Sequence, residues 1–249
     1  MPMTSIEKDA EQYGIPLERL YWGKIEQGLV RRFKREYRSL SQNVPEDNDH
    51  IEWLSIMQHH GAPTRLLDIT YSIFVAAYFA LWKYEPDQCA ALWCFNNNWL
   101  NDAWAQVCPK KYHREYADDR EGRYIRLFEL VLRHKQPKVY HINPYHRPER
   151  QVLQQSGFLL PLDVTSSFVE NLASMPVNPA KEIREPQYTK RVLKVLIKLD
   201  VASLLKVRYG LAKMNINNAT LFPGIDGLAR SLRDRLPFNE ERMGLKEGF

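Results

Sequence analysis

The alternation of apolar and polar positions divides the first quarter of the chain into helices. An acidic helix is predicted within the first twenty residues, ending near Gly14. Apolar side chains at helical spacing predict a second helix across residues 29–40, and a third that begins at Asp49 or His50. The pattern therefore predicts a helical N-terminal part that extends to about residue 57.

Shorter apolar runs predict strands and further helices along the rest of the chain. The predicted strands span residues 64–69, 89–95, 138–142 and 192–199, and residues 124–132 suit either a helix or a strand. Since strands and helices alternate irregularly and no βαβ repeat is visible, we expect an α+β fold with a small central mixed sheet flanked by helices. With no long linker, residues 1–249 are predicted to form a single compact domain.

Three later segments have a helical pattern. Residues 73–81 are almost entirely apolar, which predicts a buried helix. A second helix is predicted over residues 201–209 with Gly210 ending it, and a last one from Thr220 onwards.

Composition narrows the class of protein. No apolar run approaches the ~18 residues that a membrane span needs, and no basic start leads into an apolar signal core, so we expect a cytoplasmic protein without a membrane partner. Cys89, Cys94 and Cys108 lack the close pairing of a zinc site, and the histidines show no helical ligand spacing. We expect reduced, mostly buried cysteines and no metal.

The formal charge of +5 reflects a local cluster of basic residues. Five basic side chains fall within residues 31–38, interleaved with the apolar positions of the predicted helix. Such a face can contact the phosphates of a nucleic acid, or it can bind a protein partner. A solvated helix face is the commoner explanation, by roughly two to one.

The densest polar chemistry lies in residues 58–72. Gly61 tolerates a positive φ and Pro63 fixes its own φ, so a turn is predicted there, followed by a strand and a helix N-terminus. Exposed N–H groups and the helix dipole make such a junction a candidate anion site. The alternative is structural: Asp68 or Ser72 caps the helix, and Arg65 pairs with Asp68.

This stretch resembles the central motif of FRG-domain proteins. The matching residues are Glu52, Leu54, Gln58, His59, Gly61, Pro63, Thr64, Arg65, Leu66, Leu67, Asp68, Thr70, Ser72, Ala76, Phe79 and Ala80. Further similarity is seen at residues 150–158 and 220–228. The family's aromatic-Arg-Gly motif has its best counterpart in Tyr21-Trp22-Gly23, where Trp22 replaces the arginine.

FRG-type sequences are in turn similar to ADP-ribosyltransferases, which implies an ADP-ribosyltransferase-like core and NAD as a substrate. The resemblance implies catalytic roles for Glu149, Asp68 and His59, and ligand contacts by Arg65, Thr70, Ser72, Arg150 and Tyr21. Cleavage of the nicotinamide bond develops positive charge on the ribose, which a carboxylate would stabilise. Gln151, however, stands where the transferases carry their usual acid.

Three functional hypotheses follow. The first is a nucleotide-type pocket, in which residues 58–72 and 149–158 line one cleft and NAD is consumed by a transferase or glycohydrolase of a toxin or phage-defence factor. The second is a non-catalytic module that binds nucleic acid or protein through Arg31–Arg38. The third, a hydrolase with His59 or His60 as general base, lacks a recognisable nucleophile.

Overall fold

The computed structural model describes residues 1–20, 25–85, 88–107, 137–144, 147–177 and 191–235. Short strands and helices are mixed along the chain, so the predicted α+β class with small sheets flanked by helices is confirmed. The chain divides into two compact units. Unit 1 comprises Met1–Asp68, Asn96–His146 and Phe158–Arg191, and unit 2 comprises Ile69–Phe95, Arg147–Gly157 and Val192–Phe249.

The elements that the structure describes are short. The α-helices are α1 (Ser5–Gln12), α2 (Ile25–Tyr37), α3 (His50–His59), α4 (Ile73–Leu81), α5 (Asn97–Val107), α6 (Glu149–Leu153), α7 (Phe168–Ala173), α8 (Val201–Lys213), α9 (Asn218–Leu221) and α10 (Ile225–Arg235). The strands are β1 (Leu67–Thr70), β2 (Ala90–Phe95), β3 (Val139–Ile142), β4 (Ser156–Pro161) and β5 (Val192–Ile197). Residues 124–132, whose pattern was ambiguous, lie outside the described residues.

Two small sheets are present among these strands. One has the strand order β1-β4-β3, and in it β3 pairs antiparallel with β4, from Val139 opposite Pro161 to Ile142 opposite Phe158. The other is the antiparallel pair β2 and β5, which lies in unit 2. Every residue of β4 is buried, whereas most of β5 is exposed.

The main core of unit 1 joins α2 and α3 to the β3–β4 pair. Its buried members are Val30, Ile51, Leu54, Met57, Leu66, Tyr140, Ile142, Phe158, Leu160 and Leu162. The ring of Trp53, which is fully buried, meets Phe33 and Tyr37 of α2 edge-on, with ring centroids 6.5 and 5.6 Å away. These apolar contacts fix α2 against α3, because large buried rings contribute much of the packing free energy of a small core.

Local capping chemistry starts the helices where it was predicted. Asp49 caps α3, with its Oδ1 accepting from the backbone N–H of Glu52 at 3.0 Å. Ser72 caps α4 through Val75 at 3.3 Å. Gly61 has φ +79°, so the turn before β1 uses the backbone freedom that only glycine supplies cheaply.

Several predicted elements were wrong in detail. Gly210 does not end its helix, since α8 continues to Lys213 and the left-handed residue that follows is Asn215, at φ +62°. Buried Leu204 and Leu211 on either side of the glycine hold the helix together, and their packing outweighs the ~1 kcal/mol that glycine costs.

The predicted buried helix at residues 73–81 is only partly buried. Ile73 and Phe74 of α4 are about half exposed, while Val75 and Leu81 are buried. The single last helix is two helices, α9 and α10. Cys89 is exposed rather than buried.

Candidate anion-binding site

Helix α2 has two faces with different chemistry. Val30 and Glu26 are buried, and Phe33 packs against the core. A second face carries Gln27, Arg31, Lys34 and Arg35, which recur at the i, i+3, i+4 spacing of one helical stripe. The basic residues are thus gathered on one side of the helix by its own geometry.

This stripe forms one wall of an open cleft of about 560 Å³ in unit 1. The cleft is lined by Gln27, Val30, Arg31, Lys34, Arg35, Arg38, Asp47 and His50. Arg38 directly follows α2, Asp47 lies in the loop before α3, and His50 is the first residue of α3. A cleft of this size is within the range of ligand sites.

Lys34 is held in place by two contacts. Its Nζ donates to the carbonyl oxygen of Asp47 at 2.6 Å and lies 5.2 Å from the centroid of the Trp53 ring. Burial lowers the pKa of the Lys34 ammonium, and the nearby Arg38 acts in the same direction, while Asp47 and Asp49 oppose the shift. Lys34 is therefore a partly desolvated cation at the wall of the cleft.

Asp47 is the acidic side chain of the cleft. Its Oδ1 accepts from Nη2 of Arg38 at 2.7 Å, and that hydrogen bond lowers the pKa of the Asp47 carboxyl. Both side chains are more than half exposed. Asp47 thus engages Arg38 through its carboxylate and Lys34 through its backbone carbonyl.

Arg31 and Arg35 are exposed, and within the described part of the chain neither has an ion-pair partner. They lie one helical turn apart on the rim of the cleft. The neighbouring Arg32 points away from the cleft and pairs with Glu36 at 3.0 Å. With four cationic side chains and one carboxylate, the lining carries an excess of positive charge that suits an anionic ligand.

Arg65, a predicted ligand contact, is buried in unit 1 with 2% of its surface exposed. Its Nε donates to Oε1 of Glu26 at 2.7 Å and its Nη2 donates to Oε2, so the two side chains form a bidentate ion pair. Its Nη1 also donates to the carbonyl oxygen of Leu162 at 3.1 Å. These contacts are those of a structural strut, and the prediction of a ligand contact stays a prediction.

Gln58 organises the turn that precedes Arg65. Its Oε1 accepts from the hydroxyl of Thr64 at 2.5 Å and from that of Ser5 at 3.1 Å. Its Nε2 donates to Oδ2 of Asp68 at 2.6 Å, which gives the exposed Asp68 carboxylate a defined orientation. The ion pair of Arg65 is thus with Glu26, while the carboxylate of Asp68 accepts from an amide.

The remaining predicted residues of unit 1 are His59 and Tyr21. His59 is half-buried at the end of α3, with its ring edge-on to His60 at 5.1 Å between centroids. Tyr21 and the neighbouring Trp22 lie outside the described residues.

In unit 2, the structure brings Thr70 and Ser72 to the segment around Gln154. The Thr70 hydroxyl donates to the carbonyl oxygen of Gln154 at 2.8 Å, and the Tyr71 N–H donates to that of Gln155 at 3.0 Å. The Thr70 oxygen also accepts from the Ser72 N–H at 3.1 Å. Parts of the two polar segments, residues 58–72 and 149–158, therefore meet within unit 2. The single cleft predicted for the two segments stays a prediction.

Residues 149–153 of the predicted 149–158 polar segment form the short helix α6. Glu149 is exposed in its first turn, and Gln151 is buried. The guanidinium of half-buried Arg150 lies 4.5 Å from the centroid of the Phe222 ring. A cationic side chain stacked on an aromatic ring is a geometry that can receive a planar or anionic group.

The residues that complete the cleft were missed in the sequence. The i, i+3, i+4 spacing of Gln27 and Val30 with the arginines was a usable signal. Nothing local marked Asp47 or His50 as neighbours of that stripe, because their placement depends on how α3 packs against α2.

The described residues hold no group of three or more His, Cys, Asp or Glu side chains placed to bind a metal. In the same part of the chain, every helix is too short or too polar to cross a bilayer.

Comparison with known protein families yields a match to part of the chain. The model of the FRG domain matches residues 4–89, a stretch that contains α1 to α4 and β1. No curated protein and no solved structure matches the chain. The similarity at residues 150–158 and 220–228 lies beyond the matched stretch and stays a prediction. The chain therefore carries an FRG domain over residues 4–89, and this domain contains both the Arg65–Glu26 pair and the basic cleft of α2.

Proposed function

We propose that this FRG-domain protein binds the phosphate backbone of a nucleic acid in the α2 cleft. The observation that carries the proposal is the lining, in which Arg31, Lys34, Arg35 and Arg38 face one cleft of about 560 Å³ beside a single carboxylate. Clustered cations on one helix face are the electrostatic footprint of a phosphate-binding surface.

The shape of the stripe favours a polymer over a small anion. From Gln27 to Arg38 the lining extends roughly 17 Å along the helix axis. A nucleic acid strand presents a phosphate about every 3.4 Å of duplex length, so several successive phosphates fit beside the stripe. A single nucleotide would leave part of the positive charge uncompensated.

The lining also favours the backbone over the bases. Among the described lining residues, the side chains are charged, amide, imidazole or aliphatic, and none is Phe, Tyr or Trp. Binding of single strands through bases usually uses stacked aromatic rings, whereas Lys and Arg contacts to phosphates carry no sequence information. Binding is therefore expected to be insensitive to sequence.

The test is a titration of fluorescein-labelled oligothymidylate, followed by fluorescence anisotropy at fixed salt. The double variant Arg31→Gln/Arg35→Gln removes two exposed cations without touching a described ion pair. We expect its affinity to fall at least about tenfold, because each lost phosphate contact removes a favourable release of counterions. Arg32→Gln, which removes one positive charge outside the lining, should change the affinity less than about twofold.

The single variants Arg31→Gln and Arg35→Gln remove one charge each, as Arg32→Gln does, and equal losses of affinity in all three would show that only net charge matters. Absence of binding by the wild-type protein at low salt would refute the proposal.

A second candidate function rests on unit 2, where Thr70 contacts Gln154 at the end of α6, Ser72 contacts Thr70, and Arg150 stacks on Phe222. We propose a nucleotide-type ligand there, with NAD as substrate and Glu149 as the carboxylate that stabilises positive charge on the ribose. Such an activity would suit a toxin or a phage-defence factor of the cytoplasm.

Mass spectrometry of nicotinamide release from NAD tests this candidate. Glu149→Gln should abolish release while NAD binding persists, because the amide keeps the shape and removes the charge. Glu85→Gln, at an exposed acid of the same unit, is the matched control and should leave release unchanged. Wild-type turnover in Glu149→Gln would refute Glu149 as the catalytic carboxylate.

A further inference from the structure

The four cations of the α2 cleft are not equivalent before a ligand arrives. Arg31 and Arg35 at the rim have no ion-pair partner within the described residues. Arg38, by contrast, holds the Asp47 carboxylate at 2.7 Å, and Lys34 holds the Asp47 carbonyl oxygen at 2.6 Å. A phosphate can approach the first pair directly, but at the second pair it meets Asp47.

The exposure of this contact allows exchange. Arg38 and Asp47 side chains are 55% and 70% exposed, so neither is locked by burial. The loop itself is anchored by other atoms: Nε1 of Trp53 donates to the carbonyl oxygen of Glu46 at 2.9 Å, and Asp49 caps α3. The Asp47 carboxylate can therefore leave Arg38 without the loop being released from α3.

We propose that Asp47 is a built-in competitor for the phosphate ligand, occupying Arg38 in the free protein and giving it up when a phosphate strand fills the cleft. This inference rests on the proposed nucleic-acid function of the same cleft. A carboxylate and a phosphate oxygen present the same chemistry to a guanidinium, so the two anions exclude each other at Arg38. Each phosphate bound there must offset the loss of the internal pair.

The competition discriminates between ligand classes. An isolated phosphate gains little free energy by taking the place of the Asp47 carboxylate, because Arg38 only exchanges one anion for another. A strand that is already held by Arg31 and Arg35 presents its next phosphate at high effective concentration, and it can displace Asp47. Asp47 therefore selects for polymeric phosphate ligands over single phosphates.

Asp47→Asn tests this role, since it removes the competing charge and keeps the backbone carbonyl that Lys34 uses. With labelled oligothymidylate, we expect binding about three- to tenfold tighter than for the wild type. Inorganic phosphate, used as a competitor, should also become more effective against Asp47→Asn, because the discrimination against single phosphates is lost.

The matched control is Glu36→Gln. It makes the same change in net charge on the same stretch of chain, but Glu36 pairs with Arg32 outside the lining. Its affinity for the labelled strand should stay within about twofold of the wild type, because charges beyond the cleft are screened at physiological salt. Thermal melts of both variants confirm that they fold.

A double-mutant cycle separates exchange from long-range repulsion. If Asp47 occupies Arg38, Arg38→Gln should cost little affinity in the wild-type background and several-fold more in the Asp47→Asn background. Equal losses in the two backgrounds would overturn the competition, even if Asp47→Asn binds more tightly. Unchanged affinity in Asp47→Asn would overturn it as well, whereas a wild-type protein that binds no strand would refute the cleft's function itself.

Discussion

The two ends of α2 use charge in opposite ways. At its first turn, Glu26 is 1% exposed as a residue and forms a bidentate pair with the equally buried Arg65. Toward its other end, Arg31 and Arg35 are exposed and have no ion partner among the described residues. A buried pair must be satisfied by the protein itself, whereas exposed cations remain available to a ligand.

This contrast shows what a dense polar motif can mean. The segment from Gln58 to Asp68 is rich in residue types that perform catalysis, yet its described contacts tie a turn together and fill the hydrogen bonds of a buried guanidinium. The basic stripe, with simpler chemistry, faces the cleft. A segment rich in polar residues can reflect the hydrogen bonds that the fold must satisfy as readily as catalytic or binding chemistry.

The largest expected effect on stability follows from a substitution at the buried end of α2. Glu26→Gln removes the carboxylate that pairs with the buried Arg65 guanidinium, and breaking such a pair typically costs about 3–5 kcal/mol of the free energy of unfolding. Replacing both partners by apolar residues, as in Glu26→Leu/Arg65→Met, should recover much of that loss because no uncompensated charge remains. Urea unfolding of the three proteins measures both differences.

Arg65→Lys separates the strut from a ligand contact. The lysine keeps the charge but cannot form the bidentate fork, so the melting temperature should fall clearly. A variant that melts like the wild type but binds its ligand more weakly would contradict the structural role and support Arg65 as a ligand contact.

The sequence was sufficient for features that local chemistry determines. Asp49 and Ser72 are the observed caps, and Gly61 has the positive φ that its turn requires. Features set by distant packing were not predictable. Glu26 stands 39 positions before Arg65, and no local pattern distinguishes it from a surface acid of a basic helix.

Gly210 shows that distant packing can also override a local signal. Glycine is the residue that most often follows a helix, so ending the helix there was the reasonable prediction. Whether the helix continues depends on Leu204 and Leu211 finding a core, which they do. Tertiary packing overrides a local propensity of about 1 kcal/mol.

An intermediate effect concerns Glu52, a buried acid that has no ion-pair partner among the residues that the structure describes. Burial, with a smaller contribution from Asp49, raises the pKa of Glu52 to about 7. The folded carboxyl thus binds a proton more tightly than the unfolded one, whose usual pKa is 4.5. Ionising the buried carboxyl therefore lowers the stability of the folded protein. This loss is absent below the unfolded pKa and develops as the pH rises through the folded value.

Glu52→Gln tests this pH dependence. At about pH 8 the variant should be more stable than the wild type by roughly 2 kcal/mol, after allowing for solvent screening. Near pH 5 the difference should be small, because the wild-type carboxyl is then mostly protonated in the folded protein. Melting curves at the two pH values decide, and a difference that does not depend on pH would contradict an ionisable origin.

The smallest expected effect on stability is at the exposed end of α2. Arg31→Gln/Arg35→Gln should change the free energy of unfolding by less than about 1 kcal/mol, since surface substitutions without ion partners usually have small effects. Urea unfolding checks this directly. A loss comparable with that of Glu26→Gln would mean that the two ends of α2 do not differ in the way described.

The most direct test of the phosphate-binding cleft is the salt dependence of binding. The logarithm of the observed binding constant for oligothymidylate is measured against the logarithm of the salt concentration, for the wild type and for Arg31→Gln/Arg35→Gln. Four phosphate contacts to a single strand predict a slope of about −3 for the wild type, and loss of two predicts about −1.5 for the variant. A flat wild-type slope, or equal slopes for the two proteins, would contradict a cleft that binds phosphates through these arginines.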